Sequence, residues 1–158
     1  MSEDGPHIRF EMRSQARYLS SARAMAAAVA ERYGFDDCTC GQIALAVDEA
    51  LSNVIKHGYS REPEGRIWLS IDPIEREGRV EAIRIVIEDR AQQVELEKIK
   101  SRDLDDVRPG GLGVHIIREL MDSAEWCKRP EGGMRLTLLK RRNTDGSATT
   151  EPKKGDPP

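Results

Sequence analysis

Glu49, Asn53 and His57 recur at four-residue intervals in the run AVDEALSNVIKHG. At about 100° per residue they climb one flank of a helix. A carboxylate therefore stands one helical turn from an amide. The amide oxygen of Asn53 is a hard, neutral ligand of the kind Mg²⁺ accepts beside water and phosphate oxygens. The carboxylate of Glu49 can take a proton from a hydroxyl as a general base. Glu49 has Ser52 and Asn53 at i+3 and i+4 rather than Lys or Arg, so the usual helix ion pair does not account for it. A pair of solvated helix positions is the competing explanation, and spacing alone leaves both open.

Gly110, Gly111, Leu112 and Gly113 precede an apolar pattern of helical period. Backbone N–H groups unobstructed by Cβ atoms, at the positive end of a helix dipole, suit phosphate oxygens. A plain turn explains the same glycines equally well. Neither GxxxxGK[ST] nor GxGxxG occurs in the chain, which removes two common phosphate-binding architectures. Asp89 ends a run containing Ile83, Ile85 and Ile87. There its carboxylate can emerge from a sheet edge into a pocket, or cap the loop that follows.

The elements that must position these groups follow from periodicity. His7–Arg13 alternates like a half-buried strand. Ser14 is then the expected cap of a first helix over Gln15–Tyr33, with Tyr18, Leu19, Ala22, Met25, Ala26 and Val29 on one side and Gly34 as its stop. Thr39 and Gln42 fit a capping box for a second helix, whose buried stripe is Ile43, Val47, Ala50 and Val54 and whose end is Gly58. Arg66–Asp72 and Val80–Glu88 read as a strand pair around a turn at Pro73–Gly78. Arg90–Pro109, charged and polar with little clean periodicity, reads as a loop and candidate lid. Val114–Met121 forms a last helix, and Ser123–Lys128 and Met134–Arg141 form a closing hairpin.

The order β-α-α-β-β-lid-α-β-β is not a run of βαβ units. It predicts an α+β, two-layer α/β sandwich, with a mixed, mainly antiparallel sheet and helices on one face. The domain spans 1–141, and the apolar-poor stretch 142–158 is a disordered tail. At 158 residues a second domain is not expected.

A net charge of -3 argues against sequence-independent nucleic-acid binding. No run approaches the ~18 apolar residues of a membrane span, and the acidic first residues do not form a signal peptide. The three cysteines suit reduced thiols in the cytoplasm, and Cys38 and Cys40 lack the further ligands a zinc site takes. His57 reads as a residue of the helix end, where a cation is welcome. His115 reads as a packing or surface residue. Trp68 and Trp126 read as core or partner surface.

Taken in order, IALAVDEALSNVIKHGY, IEDRAQQ, RPGGLGVHIIRELMD and GGMRLTLLK resemble the ATPase/kinase superfamily of histidine-kinase catalytic domains and type II topoisomerase ATPases. Within it the chain looks most like the anti-sigma-factor serine/threonine kinases, over Ile8–Arg141. The resemblance implies ATP and Mg²⁺ as cofactors. It implies Asn53 as the Mg²⁺ ligand and Glu49 as activator of the acceptor serine or threonine of an antagonist protein. It further implies Asp89 on the adenine amino group, Gly110, Gly111, Leu112 and Gly113 around the phosphates, and Thr137 beneath the adenine. It also narrows the lid to Gln92–Pro109. A sigma factor or similar regulator as second partner, and a homodimer, also follow from it. After Asp89 the chain departs from the family: Ala91 stands where a glycine is usual, and Gln92 and Gln93 add side chains. That stretch motivates the alternative of a non-catalytic docking module. An ATP hydrolase with a moving lid is a third reading.

Overall fold

The computed structural model describes residues 4–99 and 112–144. The strands are β1 (Ile8–Arg13), β2 (Arg66–Arg76), β3 (Arg79–Asp89), β4 (Ser123–Lys128) and β5 (Met134–Arg141). The helices are α1 (Leu19–Arg32), α2 (Asp37–Asn53) and α3 (Leu112–Leu120). The strands form a sheet in the order β1-β2-β3-β5-β4. Every pairing among the described residues is antiparallel, so the expected α+β sandwich is present without a parallel pair.

Strand alternation gives the sheet two chemically different faces. Phe10 and Met12 pair with Leu69 and Ile67. Leu69 and Ile71 pair with Ile87 and Ile85, which pair in turn with Leu136 and Leu138. These side chains share one core with Ile43, Val47, Ala50 and Leu51 of α2 and Ile117 of α3. Asp89 stands opposite Ile67 and Trp126 opposite Leu136, so register puts both on this helix-covered face. On α1 the fully buried positions are Ala22, Ala26 and Ala30, a stripe of minimal side chains that lets α1 lie close to α2.

Three local expectations are corrected. Ser14 does not cap α1. It is buried, its N–H donates to Gly65 O at 2.8 Å, its hydroxyl donates to Glu62 O, and a 3-10 turn over Ala16–Tyr18 intervenes before the helix. The cap of α2 is Asp36, whose Oδ1 accepts the Thr39 N–H at 2.7 Å. Thr39 is already inside the helix, and the bond holds the exposed Asp36 carboxyl below the usual carboxylate range. Pro73 lies within β2 rather than in the turn. The β1 pairing stops at Ile8↔Ile71, so Pro73 has no β1 neighbour to which it would owe an N–H. Reversal occurs at Glu77 and Gly78, both with positive φ (52 and 74), as a two-residue hairpin turn requires.

Residues 145–158, most of the expected tail, lie outside the described residues. Arg142 N–H still donates to Glu81 O at 2.7 Å. No helix among the described residues is long and apolar enough to cross a membrane.

Candidate functional site

Past Asn53, α2 slips from α-helical to π-helical bonding over Val54–Gly58, with Tyr59 N–H donating to Val54 O at 2.8 Å. Single π turns of this kind recur at functional sites. Here the turn brings His57 and Gly58 to the mouth of a cavity of about 180 Å³ between the helices and the sheet. Asn53, Asp89, Gln92, Trp126, Met134 and Leu136 are among its lining. That volume is below the roughly 300–1,000 Å³ of a whole-ligand pocket, so the cavity fits one apolar portion of a larger ligand. His57 stands in the last turn of the π-helical segment, the expected helix end, and Trp126 packs against the core; both also line the cavity, which the sequence did not indicate.

Glu49 and Asn53 converge on the start of α3. A Cβ built on Gly113 would stand 3.0 Å from Asn53 Nδ2, 3.0 Å from Glu49 Oε2 and 3.2 Å from Asn53 Oδ1. Glycine at 113 therefore lets the first turn of α3 lie directly against both side chains. Leu112, beside it, is half exposed. Gly110, Gly111 and the 100–109 part of the expected lid lie outside the described residues. The lid's beginning is described as far as a 3-10 turn at Leu96–Ile99.

Asp89 is buried. Its Oδ1 accepts the Ala91 N–H at 2.8 Å and the Met134 N–H at 3.2 Å. Among the described residues this leaves Oδ2 as the oxygen available to a donor from the cavity. Burial raises the carboxyl above its ordinary value, partly countered by the two backbone bonds and by Arg129.

Thr137 is not at the cavity. It pairs with Val86 and Glu125, which places it on the opposite face of the sheet from Leu136 and Leu138. Met134 and Leu136 of the same strand occupy the cavity side instead. The parity of β5 carried that information, because Thr137 falls between two apolar residues that must both face the core.

The Ala91–Gln93 departure is absorbed without filling the cavity. Ala91 is absent from the lining, and its Cβ would be 3.0 Å from a Cβ built on Gly58. A glycine in the π turn thus makes room for the methyl. Gln93 turns toward the β4–β5 turn, where its Nε2 donates to Arg129 O at 2.9 Å and Gly133 O at 3.3 Å. Gln92 does line the cavity.

Gly133 has φ +82, and a Cβ there would fall 2.0 Å from Asp89 O and 2.7 Å from Arg90 Cα. No rotamer relieves a clash between backbone atoms. Gly133→Ala is expected to destabilise the protein by about 3 kcal/mol or more, read as a lower urea midpoint at unchanged slope.

Among the described residues there is no cluster of three or more His, Cys, Asp or Glu side chains suited to a metal ion. A Mg²⁺ that takes most of its ligands from water and nucleotide phosphates needs no such cluster. One amide oxygen facing a glycine-lined helix start fits that donor pattern, and the apolar walls with one carboxylate oxygen fit a heterocyclic base carrying a donor.

Comparison with known proteins bears on family and fold. The model of the family described as histidine kinase-like ATPase domain matches residues 12–140. The serine-protein kinase RsbW of Staphylococcus epidermidis is 30% identical over 151 residues, 89% of this chain and 89% of its own length. RsbW of Staphylococcus aureus is 31% identical over 144 residues, 84% of this chain and 85% of its own. The structure of the RsbU and RsbW domains of Rv1364c from Mycobacterium tuberculosis aligns with a TM-score of 0.56 at 15% identity, over 85% of this chain and 31% of that longer one. At that identity the match speaks to fold alone. The family match over most of the chain and relatives at this level of identity lead to one conclusion: the chain belongs to the histidine kinase-like ATPase domain family and is related to the RsbW serine-protein kinases.

Proposed function

We propose that the protein is a cytoplasmic, ATP-dependent serine/threonine-protein kinase of the anti-sigma-factor type. It phosphorylates a serine or threonine of an antagonist protein and sequesters a sigma factor or similar regulator, acting as a homodimer. The observation that carries this reading is the convergence at Gly113, where the Glu49 carboxylate and the Asn53 amide meet the same helix start while Asn53 also lines the cavity with Asp89. Bound Mg-ATP would supply the phosphoryl group to be transferred. Asn53 would give its amide oxygen to Mg²⁺, with Leu112 and Gly113, and by extension Gly110 and Gly111, around the phosphates. Asp89 would accept the base's amino donor at Oδ2, and Ile87, Trp126, Met134 and Leu136 would keep water from the base. Glu49 would receive the proton of the acceptor hydroxyl. Phosphoryl transfer depends chiefly on positioning and electrostatics, which this set would provide with few reactive groups.

The test is incubation of the purified protein with γ-labelled ATP and candidate antagonist domains. Label on a serine or threonine of one such domain is expected. Tight Mg-ATP binding without transfer to any of them would favour the docking module.

Asp89 also gives the site a pH dependence of definite sign. Oδ1 is held by the Ala91 and Met134 N–H groups, so a proton on the carboxyl would sit on Oδ2 and turn that acceptor into a donor; adenine affinity is therefore expected to fall on acidification. Because burial raises the carboxyl, the fall begins above the ordinary carboxylate range. A raised carboxyl binds its proton more tightly in the native state than in the unfolded chain, so protonation of this group favours the fold. Calorimetric affinity should therefore drop at pH values where the thermal midpoint carries no loss from Asp89, and the dependence should be absent in Asp89→Asn.

A further inference from the structure

The peptide joining Asp89 to Arg90 is gripped at both ends by side chains that the proposed chemistry does not use. Arg129 Nη1 donates to Asp89 O at 2.6 Å. Arg90 N–H donates to the Tyr59 hydroxyl at 2.8 Å, and that hydroxyl donates to Arg66 O at 2.6 Å. The two grips come from opposite layers. Tyr59 follows the π turn of the helix layer, and its ring lies over Gly65, where a Cβ would be 2.6 Å from the ring. Arg129 belongs to the β4–β5 turn and works from the outer face of the sheet. Its guanidinium lies over Trp68 at 5.5 Å, and its Nε is 3.1 Å from Glu88 Oε2 at an angle that does not make a hydrogen bond. Arg135 holds the same Glu88 oxygen at 3.0 Å. Arg129 thus engages two successive residues of β3 that point to opposite faces, the Glu88 side chain and the Asp89 backbone.

The direction of the Asp89 carboxylate depends on this peptide. Its Oδ1 is tied to the N–H groups of Ala91 and Met134, and Ala91 follows the gripped peptide directly. Rotation of the Asp89–Arg90 plane would move the Ala91 N–H and turn Oδ2 away from the cavity. We propose that Arg129 and Tyr59 form a clamp on the Asp89–Arg90 peptide that sets base selectivity, with Arg129 as a positioning residue acting through Asp89. The inference rests on Asp89 being the base-recognising carboxylate.

The test measures the ratio of Mg-ATP to Mg-GTP affinity by calorimetry on the full chain. Arg129→Gln is expected to lower that ratio about tenfold, the scale of one charge-assisted hydrogen bond. Arg129→Lys, which restores a cation and one donor, should recover part of it. Arg135→Gln, which removes the other partner of Glu88 without touching Asp89, should retain the wild-type ratio. Tyr59→Phe keeps the ring over Gly65 and removes the hydroxyl. It should lower the ratio as well, and it carries the test together with Arg129→Met if Arg129→Gln fails to fold. Equal weakening of both nucleotides, or an unchanged ratio in the folded Arg129 variants, would overturn the clamp. Should Asp89→Asn also leave the ratio unchanged, the reading of Asp89 itself fails. A ratio that collapses in Asp89→Asn but survives in the Arg129 variants removes the clamp alone.

Discussion

Glu49→Gln is expected to slow serine or threonine phosphorylation by about 10²–10⁴-fold, the usual contribution of a general base, while Mg-ATP affinity stays within about threefold of wild type. Glutamine keeps the shape that meets Gly113, where Glu49 Oε2 is 3.0 Å from a built Cβ, so the start of α3 has no reason to move. It removes only the proton-accepting charge. Asn53→Ala should behave in the opposite sense. It deletes the amide oxygen assigned to Mg²⁺, so the loss appears first in metal-dependent nucleotide affinity. Single-turnover transfer at saturating ATP separates the two variants. Loss of affinity as large as the loss of rate in Glu49→Gln would mean that Glu49 belongs to the binding set and not to proton transfer.

Asp89→Asn is expected to weaken ATP binding by about a hundredfold, because a site built to accept a hydrogen bond is left opposing a donor. Two backbone donors, from Ala91 and Met134, converge on Oδ1. In the variant they oblige the amide oxygen to occupy that place. The amide nitrogen is then presented to the cavity, donor against the amino donor of adenine. The same geometry welcomes a carbonyl, so affinity for GTP or ITP should rise relative to ATP. Competition calorimetry with the three nucleotides reads the exchange directly. A variant that loses all three equally would point to a damaged fold, and one that keeps ATP would remove Asp89 from base recognition.

Much of this framework was legible in the chain because its signals are local and periodic. The alternation over Met134–Arg141 and Ser123–Lys128 has the same bounds as β5 and β4. Glu49 and Asn53 share a helix flank by spacing alone, and the structure brings them to one glycine. The misreadings have equally specific causes. Asp36, Asp37 and Thr39 are all plausible caps, and only the bond from Thr39 N–H to Asp36 decides among them. The slip to π bonding after Asn53 is a property of the backbone that leaves the side-chain period nearly intact, so His57 gave no sign that it would reach a cavity. Motif position points to Thr137, whereas strand parity points to Met134 and Leu136, the residues that line the cavity. Arg129 and Gln93 act on partners about 40 residues away in the chain, a separation at which no local pattern carries information. Gly58 and Ala91 are informative only as a pair, since the missing Cβ of one is the space for the methyl of the other.

The proposed chemistry requires one geometry, a single Mg-nucleotide site shared by Asn53, Asp89 and the start of α3, with Glu49 at its edge. A crystal structure with Mg²⁺ and a non-hydrolysable ATP analogue tests it most directly. The expected result is the base amino group on Asp89 Oδ2, Mg²⁺ on the Asn53 amide oxygen and the phosphates against Gly113. A nucleotide bound elsewhere, or a metal coordinated without Asn53, would contradict it.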